Sequence, residues 1–140
     1  MTKEIYPCLW FEKNARTAAD YYCSVFRNSK VISENQFVVM FEVNGKKFMA
    51  MNGGSQNKFN DSVSFVISCE TQEEIDHYWN TLTRGGQEGM CGWLKDRYGL
   101  SWQVVPSELE QWMNDPARAN RISPVLMTMK KLDLKKLKNA

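Results

Sequence analysis

The chain has 140 residues, 43% of them hydrophobic and 12% aromatic, with 18 basic against 16 acidic residues and a formal net charge of +2. That is enough apolar material for one domain with a real core, and too even a charge balance to drive binding to nucleic acid or a membrane surface. No stretch approaches the roughly 20 apolar residues that span a bilayer, and the opening MTKEIYPCLW lacks a long apolar signal region, so a cytoplasmic protein is expected.

Residues 5–11, IYPCLWF, read as a short strand. Asn14 is placed to cap a helix, and Ala15, Ala18, Ala19, Tyr22 and Phe26 follow at spacings of three and four. Asn28-Ser29 ends that pattern. Strands are expected near 30–35, 37–43 and 46–51, the last two joined by Asn44-Gly45, a pair that tolerates positive φ. Residues 52–61, NGGSQNKFND, are polar and read as a linker. The plan then restarts. SVSFVIS, 62–68, is a strand with Val63, Phe65 and Ile67 expected toward a helix and Ser62, Ser64, Val66 and Ser68 on the other face. Thr71 and Glu74 form a capping box, and Ile75, Tyr78, Trp79 and Leu82 make the buried stripe that Gly85-Gly86 ends. Short strands follow near 88–96 and 100–105, turning at Tyr98-Gly99. Beyond Pro106 the chain reads as helical pieces interrupted at Pro116 and Pro124. Lysines 130, 131, 135, 136 and 138 carry no interleaved aromatic residues and read as the solvated face of a docking helix rather than a basic interaction tail.

The helix starts at Asn14 and Thr71 are 57 residues apart, and the turns at Asn44-Gly45 and Tyr98-Gly99 are 54 apart. Two separate landmarks agree closely, which points to an internal repeat. The expected fold is α+β: two βαβββ modules, about 4–51 and 62–106, joined by the linker 52–61 and followed by a helical extension over 107–140, all within one domain. Small sheets with exposed edges favour association, so a homodimer is expected. Cys8, Cys23, Cys69 and Cys91 form no C-x-x-C pair and accompany a single histidine, so they read as buried free thiols in a reducing compartment.

The doubled plan resembles the vicinal oxygen chelate superfamily of glyoxalases, bleomycin-resistance proteins and dioxygenases. PCLWFEKNARTAADYYCSVF, the NGG at 52–54, SFVISCETQEEIDHYW and CGWLKDRYGLSWQVVP are similar to its PhnB-like branch, often labelled "3-demethylubiquinone-9 3-methyltransferase-like". The resemblance spans about residues 5–138 and implies curled mixed sheets around a cleft. In metal-using members, four side chains, usually His, Glu or Gln, converge there on a divalent ion that acts as a Lewis acid. Carried over by the repeat, the first-strand positions fall on Pro7 and Ser64, seven residues before each helix cap. The last-strand positions fall on Met49 and Gln103, four residues after each turn glycine. Pro7 has no side-chain donor, a thioether is a poor ligand for a hard cation, and a lone hydroxyl binds weakly. No metal and no other cofactor is therefore expected. Gln103 stands in a glutamate's place without its charge, either orienting a ligand or bonding its neighbours as an ordinary strand residue. Met49 and Met51 add an apolar surface suited to a small, largely apolar ligand.

Glu42 sits in an otherwise apolar strand and is a base if it faces the cleft, an edge charge if it does not. His77 falls off the buried stripe and reads as exposed. Asp96 and Arg97 precede a turn, where a carboxylate more often fixes the turn than does chemistry. Cys91 has no base near it in sequence. Neither Gly53-Gly54 nor Gly85-Gly86 opens a helix after a strand, so no nucleotide-binding loop supports a methyl-donor site. Three readings follow: a metal-free small-molecule binding protein or enzyme of unknown reaction, a metal-dependent enzyme with relocated ligands such as Glu42, and, least favoured, a methyltransferase.

Overall fold

In the computed structural model, which describes residues 1–140, the chain divides at residue 59 into two units, Met1–Phe59 and Asn60–Ala140. The first unit runs β1 (Cys8–Phe11), α1 (Ala15–Val25), β2 (Lys30–Glu34), β3 (Val38–Val43) and β4 (Lys46–Asn52). Its mixed sheet has the order β1-β4-β3-β2, with β1 parallel to β4 and the other pairs antiparallel. Strand alternation decides which face is covered. Leu9, Phe11, Val39, Phe41, Val43, Phe48 and Ala50 are buried toward α1. Three small residues, Ala15, Ala18 and Ala19, let the helix lie close, and the Tyr22 ring stacks on Phe41 at 6.4 Å. Asn44 (φ 52°) and Gly45 (φ 77°) make the turn between β3 and β4 that their residue types call for.

Two details differ from the sequence expectation. The first strand starts at Cys8 rather than residue 5, because its only partner is β4 and the register begins at Cys8↔Met49. The Asn14 side chain makes no capping bond. Instead Asn52, at the end of β4, accepts the Ala15 N–H on its Oδ1 at 2.9 Å.

The second unit repeats the plan with β5 (Ser64–Cys69), α2 (Gln72–Thr83), β6 (Gln87–Glu88), β7 (Trp93–Lys95) and β8 (Ser101–Pro106), in the sheet order β5-β8-β7-β6. The Thr71 hydroxyl accepts the Glu74 N–H at 3.2 Å, as the capping motif requires. Ile75, Trp79 and Leu82 are buried, Tyr78 only partly, and the Trp79 indole donates to Glu88 Oε1 at 3.1 Å. The short strands expected near 88–96 and 100–105 are β6, β7 and β8, with β6 and β7 parted where Cys91 (φ 59°) and Gly92 (φ 84°) take left-handed conformations that no ladder continues through. The strand expected to begin at 62 begins at Ser64. Val63 lies outside it, 62% exposed, and Cys69 takes the last buried position.

The extension forms α3 (Leu109–Met113), α4 (Pro116–Leu126) and α5 (Leu134–Lys138). Pro116 starts α4, where its missing N–H costs nothing, after the Asp115 carboxylate accepts the Ala117 N–H. Pro124 does not interrupt the helix as expected; it falls near the end of α4, where only one more residue pair follows. Trp112, Ile122, Met129, Leu132 and Leu137 form a buried cluster, with Val105 of β8 packed against it. Backbone bonds join the extension to the sheet region: Cys91 N–H to the Met129 carbonyl at 2.7 Å and Gly92 N–H to that of Lys130 at 2.9 Å. Gln72 adds a side-chain clasp, donating to the Leu132 carbonyl and accepting the Leu134 N–H at 2.7 Å. Two of the tail lysines pair on the surface, Lys131 with Asp76 and Lys138 with Glu108. Burial of all four cysteines does not hold: Cys69 is buried, Cys23 and Cys91 are half-buried, and Cys8 is exposed.

Candidate functional site

Each sheet has one face turned away from its helix; Met49, Met51, Glu42, Ser64 and Gln103 fall on those open faces, whereas Pro7 precedes β1, one residue out of phase with Cys8. In the first unit the open face carries Cys8 and Trp10 from β1, Met49 and Met51 from β4, and Met40 and Glu42 from β3. The registers Cys8↔Met49, Trp10↔Met51, Met40↔Met49 and Glu42↔Lys47 place them side by side. Pro7 lies just before β1, and its carbonyl accepts the Met49 N–H at 3.0 Å, so these two positions are neighbours. Glu42 does share the face with Met40 and Met49. Its flanking partners are lysines, Lys30 on β2 and Lys47 on β4. Lys47 is held by Glu4 at 2.6 Å and by the Tyr6 ring. Cys8 is exposed, yet the loss of some of its water to neighbouring protein still pushes its thiol pKa up, which keeps the sulfur protonated and weakly nucleophilic.

Trp10 and Met40 were missed as candidates, although alternation through CLWF and VVMFEV assigns them to this face. Trp10 is fixed more firmly than its half-burial suggests. Its indole donates to the Gly54 carbonyl at 2.9 Å. Its ring lies against the backbone of Gly53, where an added Cβ would come within 2.2 Å of it. The NGG stretch is thus a seat for Trp10 with the helix-capping Asn52 at its start.

In the second unit the open face carries Ser64, Val66 and Ser68 from β5, Gln103 and Val105 from β8, and Trp93 and Lys95 from β7. Val66 is the register partner of Gln103, and the amide reaches diagonally past it to donate to Ser64 Oγ at 2.9 Å. Trp93 flanks Gln103 on the other side. Ser101 shares the face but is fully buried beneath Asp61, to whose carboxylate its hydroxyl donates at 2.6 Å.

The donors at the four carried-over positions do not fit a divalent cation. Pro7 offers no side-chain atom, Met49 a thioether, and Ser64 and Gln103 are neutral and already bonded to each other. No three residues among His, Cys, Asp and Glu gather elsewhere in the structure as a metal-binding group. His77 is exposed and packs edge-on against Tyr78. Asp96 is a turn residue: its Oδ1 accepts the Tyr98 and Leu100 N–H groups, and its Oδ2 accepts the Trp102 indole at 2.9 Å.

Comparison with known proteins gives a consistent picture. The family model described as 3-demethylubiquinone-9 3-methyltransferase matches residues 3–105. Among solved structures, a PhnB protein from Bacillus cereus that carries the same label is 29% identical, over 74% of this chain and 99% of its own, with a TM-score of 0.68. A protein from Pseudomonas aeruginosa matches over 75% of this chain and 98% of its own, at 19% identity and a TM-score of 0.62. The fosfomycin resistance protein FosX from Listeria monocytogenes, solved with Mn(II) and sulfate, matches over 81% and 97%, at 17% identity and a TM-score of 0.57. The last two likenesses speak for the fold alone. Among curated proteins, none matches the sequence.

Proposed function

This chain belongs to the PhnB-like, 3-demethylubiquinone-9 3-methyltransferase-like family of the vicinal oxygen chelate superfamily, and on that premise we propose that it binds a small, largely apolar organic molecule without the superfamily's divalent metal. The supporting observation is the Gln103–Ser64 hydrogen bond. Two neutral groups satisfy one another where an ion would need charged or imidazole donors. Such a pair serves a ligand that needs one or two hydrogen bonds to orient it, with Val66 and Trp93 as apolar surroundings. In the first unit the counterparts are Pro7, Met49 and Met51. FosX is solved with Mn(II); the donor set here supports a departure from metal use rather than its retention.

The test is metal analysis of the purified protein together with calorimetric titration of zinc, nickel and manganese. No stoichiometric, tightly held ion is expected, and one such ion would overturn the reading. Gln103→Glu adds a single charge and is expected to remain without tight metal binding; strong uptake by that variant would contradict the argument from donors.

A metal-dependent enzyme using Glu42 is the second reading, favoured only by the place of Glu42 on the open face. The methyltransferase label predicts that S-adenosylmethionine raises the melting temperature; no shift is expected here. The sheets end at the edge strands β1 and β2, and β5 and β6, a feature that supports a homodimer. Light scattering of the intact protein tests it.

A further inference from the structure

The second unit contains a hollow of about 480 Å³ beside the β6–β7 hairpin, lined by Asp61, Gln87, Glu88, Met90, Trp93 and Lys95 among others. That volume suits a one- or two-ring molecule. We infer that this hollow is a binding site for a neutral, flat molecule bearing a carbonyl or carboxamide. The inference goes beyond the Gln103 reading, with which it shares the Trp93 ring.

The walls set the shape. Trp93 is half-buried and Met90 exposed, and together they offer an aromatic and a thioether surface to a planar ring. Neither the Trp93 indole N–H nor the Gln87 amide is engaged by another group of the chain, and neither is sealed from solvent. They stand on the open face, with Gln87 in register with Lys95.

The charges set the sign. Lys95 lies 3.9 Å from the Asp61 carboxylate, whose same oxygen holds Ser101. Glu88 is in register with buried Leu94 and accepts the Trp79 indole, so its carboxylate is turned to the helix side of the sheet. The open face of the hollow thus presents one carboxylate and one ammonium, Asp61 and Lys95, already facing each other. An anionic ligand competes with Asp61 for Lys95, and a cationic one competes with Lys95 for Asp61. A neutral amide suits both ends: its carbonyl accepts from Lys95, Gln87 or the indole, and its N–H groups face Asp61.

Three probes with one ring and different charges test this: benzamide, benzoate and benzylamine. Each is titrated into protein with ¹⁵N-labelled tryptophan, the Trp93 indole signal being identified by its loss in Trp93→Phe. Benzamide is expected to move that signal saturably and to bind at least about tenfold more tightly than the two charged probes, a difference of about 1.4 kcal/mol. Lys95→Met is expected to weaken benzamide while leaving the other indole signals in place. The Gln103 reading is tested by its own experiment, the search for a tightly held metal ion, so failure of this inference and failure of that reading are distinguishable. A preference for benzoate or benzylamine, a benzamide response that leaves Trp93 unmoved, an undiminished response in Lys95→Met, or no saturable response to any probe would overturn it.

Discussion

Asp96 is 2% exposed and accepts three hydrogen bonds, one of them from the buried Trp102 indole. Replacing it with alanine leaves that indole N–H without an acceptor in a dry place. A hydrogen bond to a charged acceptor contributes about 1.5–3 kcal/mol, so Asp96→Ala is predicted to lose about 3 kcal/mol or more by urea unfolding. Cys69 yields a pH dependence. Burial, reinforced by Glu74, pushes its thiol from 9.0 up to about 12. The folded-state value lies above the unfolded one, so the contribution is fully present below about pH 9 and is lost as pH rises toward 12. Urea stability of the wild type should fall over that window, and the Cys69→Ala variant should fall less steeply. Residue roles tied to local chemistry, such as Asp96 at its turn and His77 off its stripe, were legible in the sequence. The Gln103–Ser64 bond was not, because it depends on the parallel register of two strands 39 residues apart.

The elements themselves follow the same division between local and distant causes. The Asn44-Gly45 turn and the Thr71 cap are short-range devices, and both stand where their residues placed them. The break between β6 and β7 comes from left-handed Cys91 and Gly92, held by backbone groups of Met129 and Lys130 far along the chain. The cap of α1 is likewise supplied from afar, by Asn52. Asn52→Ala is predicted to cost about 1 kcal/mol, the usual worth of a capping side chain, whereas Asn14→Ala should be close to neutral. Gly53→Ala places a methyl group inside the Trp10 ring position. The expected outcome is a displaced Trp10, read as a change in tryptophan fluorescence together with a loss of stability.

At the scale of the whole molecule, the two units share a plan but not a composition. The first unit is complete with its sheet and helix. The second includes a further apolar cluster around Trp112, Ile122 and Leu132 that only the extension supplies. Leu132 is fully buried there, and its Cδ1 lies close to Gly92. Leu132→Ala is predicted to cost about 2–5 kcal/mol, with the loss confined to the second unit in hydrogen exchange. Helical character in the extension was legible from its spacing of apolar residues, but its attachment to Cys91 and Gly92 was not, since nothing local marks a backbone pairing. That attachment bears on the order of events during synthesis. Every piece of the first unit has left the ribosome once residue 59 emerges, while the second must wait for Met129, Lys130 and Leu137 before its hairpin is held. The nascent chain therefore exposes every element of its front half while some eighty residues of the rear half have still to emerge.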